Sequence, residues 1–140
     1  MRIHMHTFLL IAIAFTQIVC TNATITRPAS SKVQVFNGVN SNGLVTIIGS
    51  VSNVLGSQIV TGADITLWNV AVDTLKPDTT VFADNENHFK LLNITPGEYK
   101  IRAWTLGCKP QEVRNLHVAR NQQVVIDFVL DTTKIHFIKN

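Results

Sequence analysis

The side chains able to do chemistry in this sequence are few and scattered. Of its five histidines, His4 and His6 sit at the very start, while His88, His117 and His136 stand alone. None of these three has the HxH, HExxH or paired-cysteine spacing that brings ligands to one metal, so each reads as a surface or strand-edge histidine. Asp84, Asn85 and Glu86 open like a calcium loop but lack the later bidentate acid such a loop needs, and turn chemistry explains them better. No GxSxG elbow and no phosphate-cradling glycine loop occurs. The sequence therefore predicts no catalytic, cofactor-binding or metal site.

The two cysteines and two tryptophans are the remaining candidates. Cys20 directly follows an apolar run, where a bacterial lipoprotein carries its lipidated cysteine, although Val19 stands where such a signal has Gly, Ala or Ser. Cys108 has no neighbouring histidine or helix start to activate it, and reads as a small buried hydrophobe. If the leader is removed past Cys20, no intramolecular disulfide forms. Trp68 and Trp104 both fall in strand-like segments. Trp104 alternates with Glu98, Lys100 and Arg102, which places it on a solvent face, where tryptophan stacks on a sugar or anchors a protein. The competing reading packs each against the lead-in or the C-terminal segment.

The elements that must position these residues begin after a leader. The run over residues 8–19, broken only by Thr16 and Gln17 and preceded by Arg2, has the form of a secretory signal. Cleavage fits after Ala23 or after Cys20. The run is shorter than a membrane span of about 20 apolar residues, so no transmembrane segment is expected in the mature chain. Twelve Lys and Arg against nine Asp and Glu give +3, spread from Arg2 to Lys139 without a basic stripe, which argues against a nucleic-acid partner.

Residues 24–43, rich in Thr, Ser, Asn and Gly, read as a flexible lead-in with a short strand at 32–36. From Leu44 onward, β-branched and aromatic residues come in short runs between turn residues, the pattern of a sandwich or barrel. Seven strands are predicted, at 45–53, 63–69, 79–83, 88–94, 98–106, 113–119 and 123–130. Val124, Ile126, Phe128 and Leu130 should face the core, as should Tyr99, Ile101 and Ala103. Asn87 is expected in the left-handed conformation at one turn, and Gly97 is free to take positive φ at another. Residues 132–140 form a C-terminal extension whose apolar stretch at 135–138 either folds back or adds a strand to a neighbour.

Gly49-Ser50-Val51, then Gly62-Ala63-Asp64-Ile65-Thr66-Leu67, Asp84-Asn85-Glu86-Asn87-His88-Phe89, Pro96-Gly97-Glu98-Tyr99 and Leu106-Gly107-Cys108 carry a resemblance. From Gly49 to Leu130 the chain resembles the carboxypeptidase regulatory-like domain, whose motifs are G-A-x-V-x-L, D-x-x-G-x-F, P-G-x-Y and a G-aromatic pair. Asn87 departs from the turn glycine and Cys108 from the aromatic. The resemblance implies an all-β, seven-stranded antiparallel Greek-key sandwich of the prealbumin-like (transthyretin-like) kind over 44–131. It also implies a non-catalytic appendage of secreted or bacterial envelope proteins, engaging a protein or glycan partner. Two enzyme families share a related sandwich. The hydroxyisourate hydrolases end in Tyr-Arg-Gly-Ser, which this chain lacks. Intradiol dioxygenases hold iron with two tyrosines and two histidines, whereas Tyr99 is the single tyrosine here.

Overall fold

The computed structural model describes residues 29–55, 62–72 and 75–132. Eight strands succeed one another: β1 (Ser30–Phe36), β2 (Val45–Asn53), β3 (Asp64–Asn69), β4 (Thr79–Phe82), β5 (His88–Ile94), β6 (Gly97–Trp104), β7 (Gln111–Val118) and β8 (Gln123–Leu130). Two four-stranded sheets result, ordered β1-β8-β2-β5 and β4-β3-β6-β7. The ends of the seven expected strands shift by one or two residues at most.

Period-two alternation decides the faces. Val124, Ile126, Phe128 and Leu130 of β8 are buried in one cluster with Tyr99, Ile101 and Ala103 of β6. Each fully buried aliphatic side chain of this kind contributes about 1.5 to 3 kcal/mol, so the register of each strand is strongly fixed.

The short strand expected at 32–36 is present as β1, starts two residues earlier and joins the first sheet as an eighth strand, so this part of the lead-in is not a flexible linker. β1 pairs with β8 over seven residues, from Ser30 beside Val129 to Phe36 beside Gln123. The loop after it is pinned as well: the Asn40 side chain donates to the Gln122 carbonyl at 2.8 Å, and the Gly43 N–H donates to Asn121 Oδ1 at 2.8 Å. The sequence marks this strand but not its partner, which lies some ninety positions away.

Sheet direction also differs in one pair. β2 and β8 run parallel, with Ile47 beside Val124 and Asn53 beside Leu130, so the first sheet is mixed. Alternation fixes the face of a strand and carries no information on its direction. Gly49 lies between β8 and β5, opposite Ile126 and Phe89. A Cβ there would run into the Ile126 carbonyl and meet the Phe89 ring.

Candidate functional site

The solvent face of the second sheet carries two exposed aromatic residues. Trp104 of β6 stands opposite Asp64 of β3, and Asp64 stands opposite Phe82 of β4, forming one row across three adjacent strands. At about 4.8 Å per strand, the backbones bearing the two aromatics are about 9.6 Å apart. Trp104 is 43% exposed and Phe82 68%. Asp64 accepts the Thr66 hydroxyl at 2.8 Å. A carboxylate so engaged still has acceptor positions left for a ligand's hydroxyls.

Trp68 lies on the same face, four residues farther along β3, where it stands opposite Lys100. Lys100 Nζ sits 4.1 Å from the Trp68 ring centroid, and the Arg102 guanidinium 5.0 Å. These cations cover the indole, which is only 8% exposed. Beside it β7 is irregular. Tyr99 pairs with Leu116 and Ile101 with Val113, so Arg114 and Asn115 together oppose Lys100. This is a β-bulge, and Asn115 takes φ 55° within it. A hollow of about 330 Å³ opens there, lined by Trp68, Val70, Lys100, Glu112, Arg114 and Asn115.

The solvent face of the first sheet holds a hollow of about 670 Å³. Val125, Ile48 and Lys90 form one cross-strand row of its lining, and Asp127, Ser50 and His88 the next. Phe82 and Asp84 contribute to its wall. The Ser50 hydroxyl donates to Asp127 Oδ1 at 2.7 Å. Its proton is thus committed to a carboxylate, whereas nucleophilic activation asks for a base held by a third group.

The Asp84–Asn87 turn borders this hollow. Asp84 Oδ1 accepts the backbone N–H groups of Glu86 and His88, each at 2.9 Å. The His88 N–H in particular holds the carboxyl below its ordinary value of 3.8, against the opposing pull of desolvation. Asn87 takes φ 64°, the left-handed conformation expected of it. At the next corner the left-handed residue is Asn93, φ 58°, and not Gly97. There the Tyr99 hydroxyl donates to the Thr95 carbonyl at 2.8 Å, so the corner is fastened by a side chain instead of turned by a glycine.

The other candidates separate. His88 lies 3.7 Å from Glu86, and His117 3.9 Å from Glu98. Cys108 packs half-buried against the core. Burial, with the nearby Asp131 charge, raises its pKa and favours the protonated thiol. Cys20 and His136, the leader, and the apolar stretch at 135–138 lie outside the described residues. Of the aromatic row, sequence reasoning found Trp104 and missed Phe82. Alternation places Phe82 on the face of Thr80, but only the pairing of β3 with both β4 and β6 brings it into line with Trp104.

Two facing four-stranded sheets, with exposed aromatic side chains and open hollows on their outer surfaces, define a β-sandwich module. Residues 46–131 match the carboxypeptidase regulatory-like domain, and the chain belongs to that family. Among solved structures it is similar to a candidate carbohydrate-binding protein from Bacteroides uniformis, at 19% identity and TM-score 0.46, covering 61% of this chain and 40% of that one. It is also similar to the pilus 2b backbone protein of group B streptococcus, at 14% identity and TM-score 0.46, covering 64% and 41%. A third is hydroxyquinol 1,2-dioxygenase from Pseudomonas putida, at 12% identity and TM-score 0.47, covering 70% and 60%. The chain thus spans about two-fifths of the length of the first two. Among curated proteins none matches it. Among the described residues no helix is long and apolar enough to cross a membrane.

Proposed function

We propose that this chain is an extracytoplasmic, non-catalytic binding module that engages a glycan or protein of the cell envelope through the Phe82–Asp64–Trp104 row. The observation that carries this reading is the row itself. Two exposed aromatics, borne on strands that flank a hydrogen-bonding carboxylate, suit a ligand that presents apolar ring faces and hydroxyls together. That combination belongs to sugar rings foremost, and the secretory leader at 1–23 would deliver the module to where envelope glycans are found. The test is a glycan array probed with wild-type protein, Phe82→Ala and Trp104→Ala. The reading expects a hit that either substitution weakens at least tenfold. Unchanged binding in both variants would remove the row from the function.

A second reading, assembly by strand addition, draws support from β1. This strand is the outermost of its sheet, and Val33, Val35 and Phe36 are exposed on it. An uncovered apolar edge is a template for another strand. Light scattering on the mature chain and on Val35→Lys would decide: a dimer that the substitution dissociates favours assembly, and equal monomer masses dismiss it. Lipid anchoring at Cys20 would show in the intact mass of the mature chain, as an acylated N-terminal cysteine.

A further inference from the structure

We infer that the bulge opposite Lys100 forms a separate site for the anionic group, sulfate or carboxylate, of an acidic glycan. Three features converge there. First, the bulge sends two consecutive residues, Arg114 and Asn115, to the solvent side of β7, and this opens the hollow of about 330 Å³ against Lys100 and Trp68. Bulges re-aim side chains in this manner beside binding sites.

Second, Trp68 holds its cations ready. With Lys100 at 4.1 Å and Arg102 at 5.0 Å from its ring, the indole fixes two flexible side chains over one spot. That attraction uses the positive heads without consuming their hydrogen-bond donors, and it lowers the conformational cost of organising them around a ligand. Neither cation has a carboxylate within ion-pairing distance among the described residues, whereas Arg114 is bound to Glu112 at 2.8 Å.

Third, the placement of the charges favours an anion. Lys100, Arg102 and Arg114 are opposed by Glu112 on the neighbouring strand, and the next acid along β6, Glu98, faces His117 at 3.9 Å. Asp64, one row beyond Arg102 on β3, accepts the Thr66 hydroxyl, so three carboxylates balance three cations on this face while the two heads held over Trp68 keep no ion partner among the described residues. Asn115 adds amide donors at the rim, since its amide nitrogen carries two. A sulfate or carboxylate accepts hydrogen bonds from such donors and is held by charge as well.

The experiment is a two-dimensional NMR titration of the full mature chain with heparin as the sulfated probe and polygalacturonate as the carboxylated one. The inference expects saturable shifts of the Trp68 indole N–H, assigned through Trp68→Phe. It also expects affinity to fall at least tenfold in the double variant Lys100→Gln with Arg102→Gln, whose spectrum reports whether the fold is kept. Response to one probe alone would assign the group as sulfate or carboxylate, and response to both would leave charge as the criterion. The controls Lys109→Gln and Arg120→Gln remove cations elsewhere on the surface. An equal loss in those controls, unchanged affinity in the double variant, or no Trp68 shift with either probe would each overturn the site.

Discussion

Asparagine does in this chain what glycine does in many others. Asn87, Asn93, Asn115 and Asn121 all have positive φ, between 55° and 64°. A Cβ in this region costs roughly 1 to 2 kcal/mol, which asparagine tolerates better than other side chains because its short amide finds local hydrogen bonds. Asn87 is the informative case, because its Oδ1 is buried without a partner among the described residues. Asn87→Gly would remove both the Cβ cost and that unsatisfied acceptor, but it would also loosen the unfolded chain. The expected result is stability within about 0.5 kcal/mol of the parent, while Asn87→Ala loses about 1 kcal/mol in urea denaturation. Equal losses in the two variants would show that the side chain, not the backbone conformation, matters here. Asp84, in the same turn, ties stability to pH. Its folded pKa lies below the ordinary 3.8, chiefly because the His88 N–H donates to it. Its contribution is therefore complete above the ordinary value and is lost as pH falls through the folded one. Between about pH 5 and about pH 2 the urea midpoint of Asp84→Asn should fall less than that of the parent. Parallel slopes would mean that Asp84 is not part of the acid limb.

Gly49 and Tyr99 show how single positions hold whole strands in place. Gly49 sits where β8 and β5 press on β2 from both sides, and the Phe89 ring fills the space a side chain would need. The Ile126 carbonyl is backbone and cannot swing aside as a flexible side chain would. Gly49→Ala should therefore cost about 3 kcal/mol, at the upper end of overpacking, and the melting temperature is the measurement. A loss below about 1 kcal/mol would show that β2 and β8 can part without penalty. Tyr99 works at the next level. Its ring is in the core and its hydroxyl binds the Thr95 carbonyl, so one residue joins the end of β5 to the start of β6. The strands themselves were legible in the sequence because their alternation is clean: in β8 every second residue from Val124 to Leu130 is buried. The bulges were not. Leu92 and Asn93 oppose Thr46, and Arg114 and Asn115 oppose Lys100. Each depends on how two strands meet, a property absent from either strand alone. For that reason Trp104 was readable as solvent-facing, whereas the hollow beside Trp68 was not readable at all.

At the scale of the molecule, it is the pairing of β1, and not its existence, that the sequence leaves unread. The family match begins at residue 46, after β1 has ended, yet β1 covers one side of β8 over seven residue pairs. Its composition looks like a linker because, of the three residues on its inward face, Ser31, Val33 and Val35, only the valines are apolar, and both stay partly exposed. Two half-buried valines are worth about 2 kcal/mol together, a small share of the core. The larger effect concerns the edge. Without β1, β8 becomes the outermost strand, and its outer side presents an unpaired row of N–H and C=O groups alongside a fully apolar inner face. Such an edge pairs with whatever strand is available, including that of another copy. A chain beginning at residue 44 should therefore melt about 10 °C lower than one beginning at residue 24, at roughly 4 to 8 °C per kcal/mol for a domain of this size. It should also self-associate as concentration rises, while the longer chain keeps its mass in light scattering. If both chains melt together and run as monomers, β1 is dispensable and the matched segment is the complete folding unit. If the shorter chain associates, β1 is the strand that keeps the sheet closed on that side.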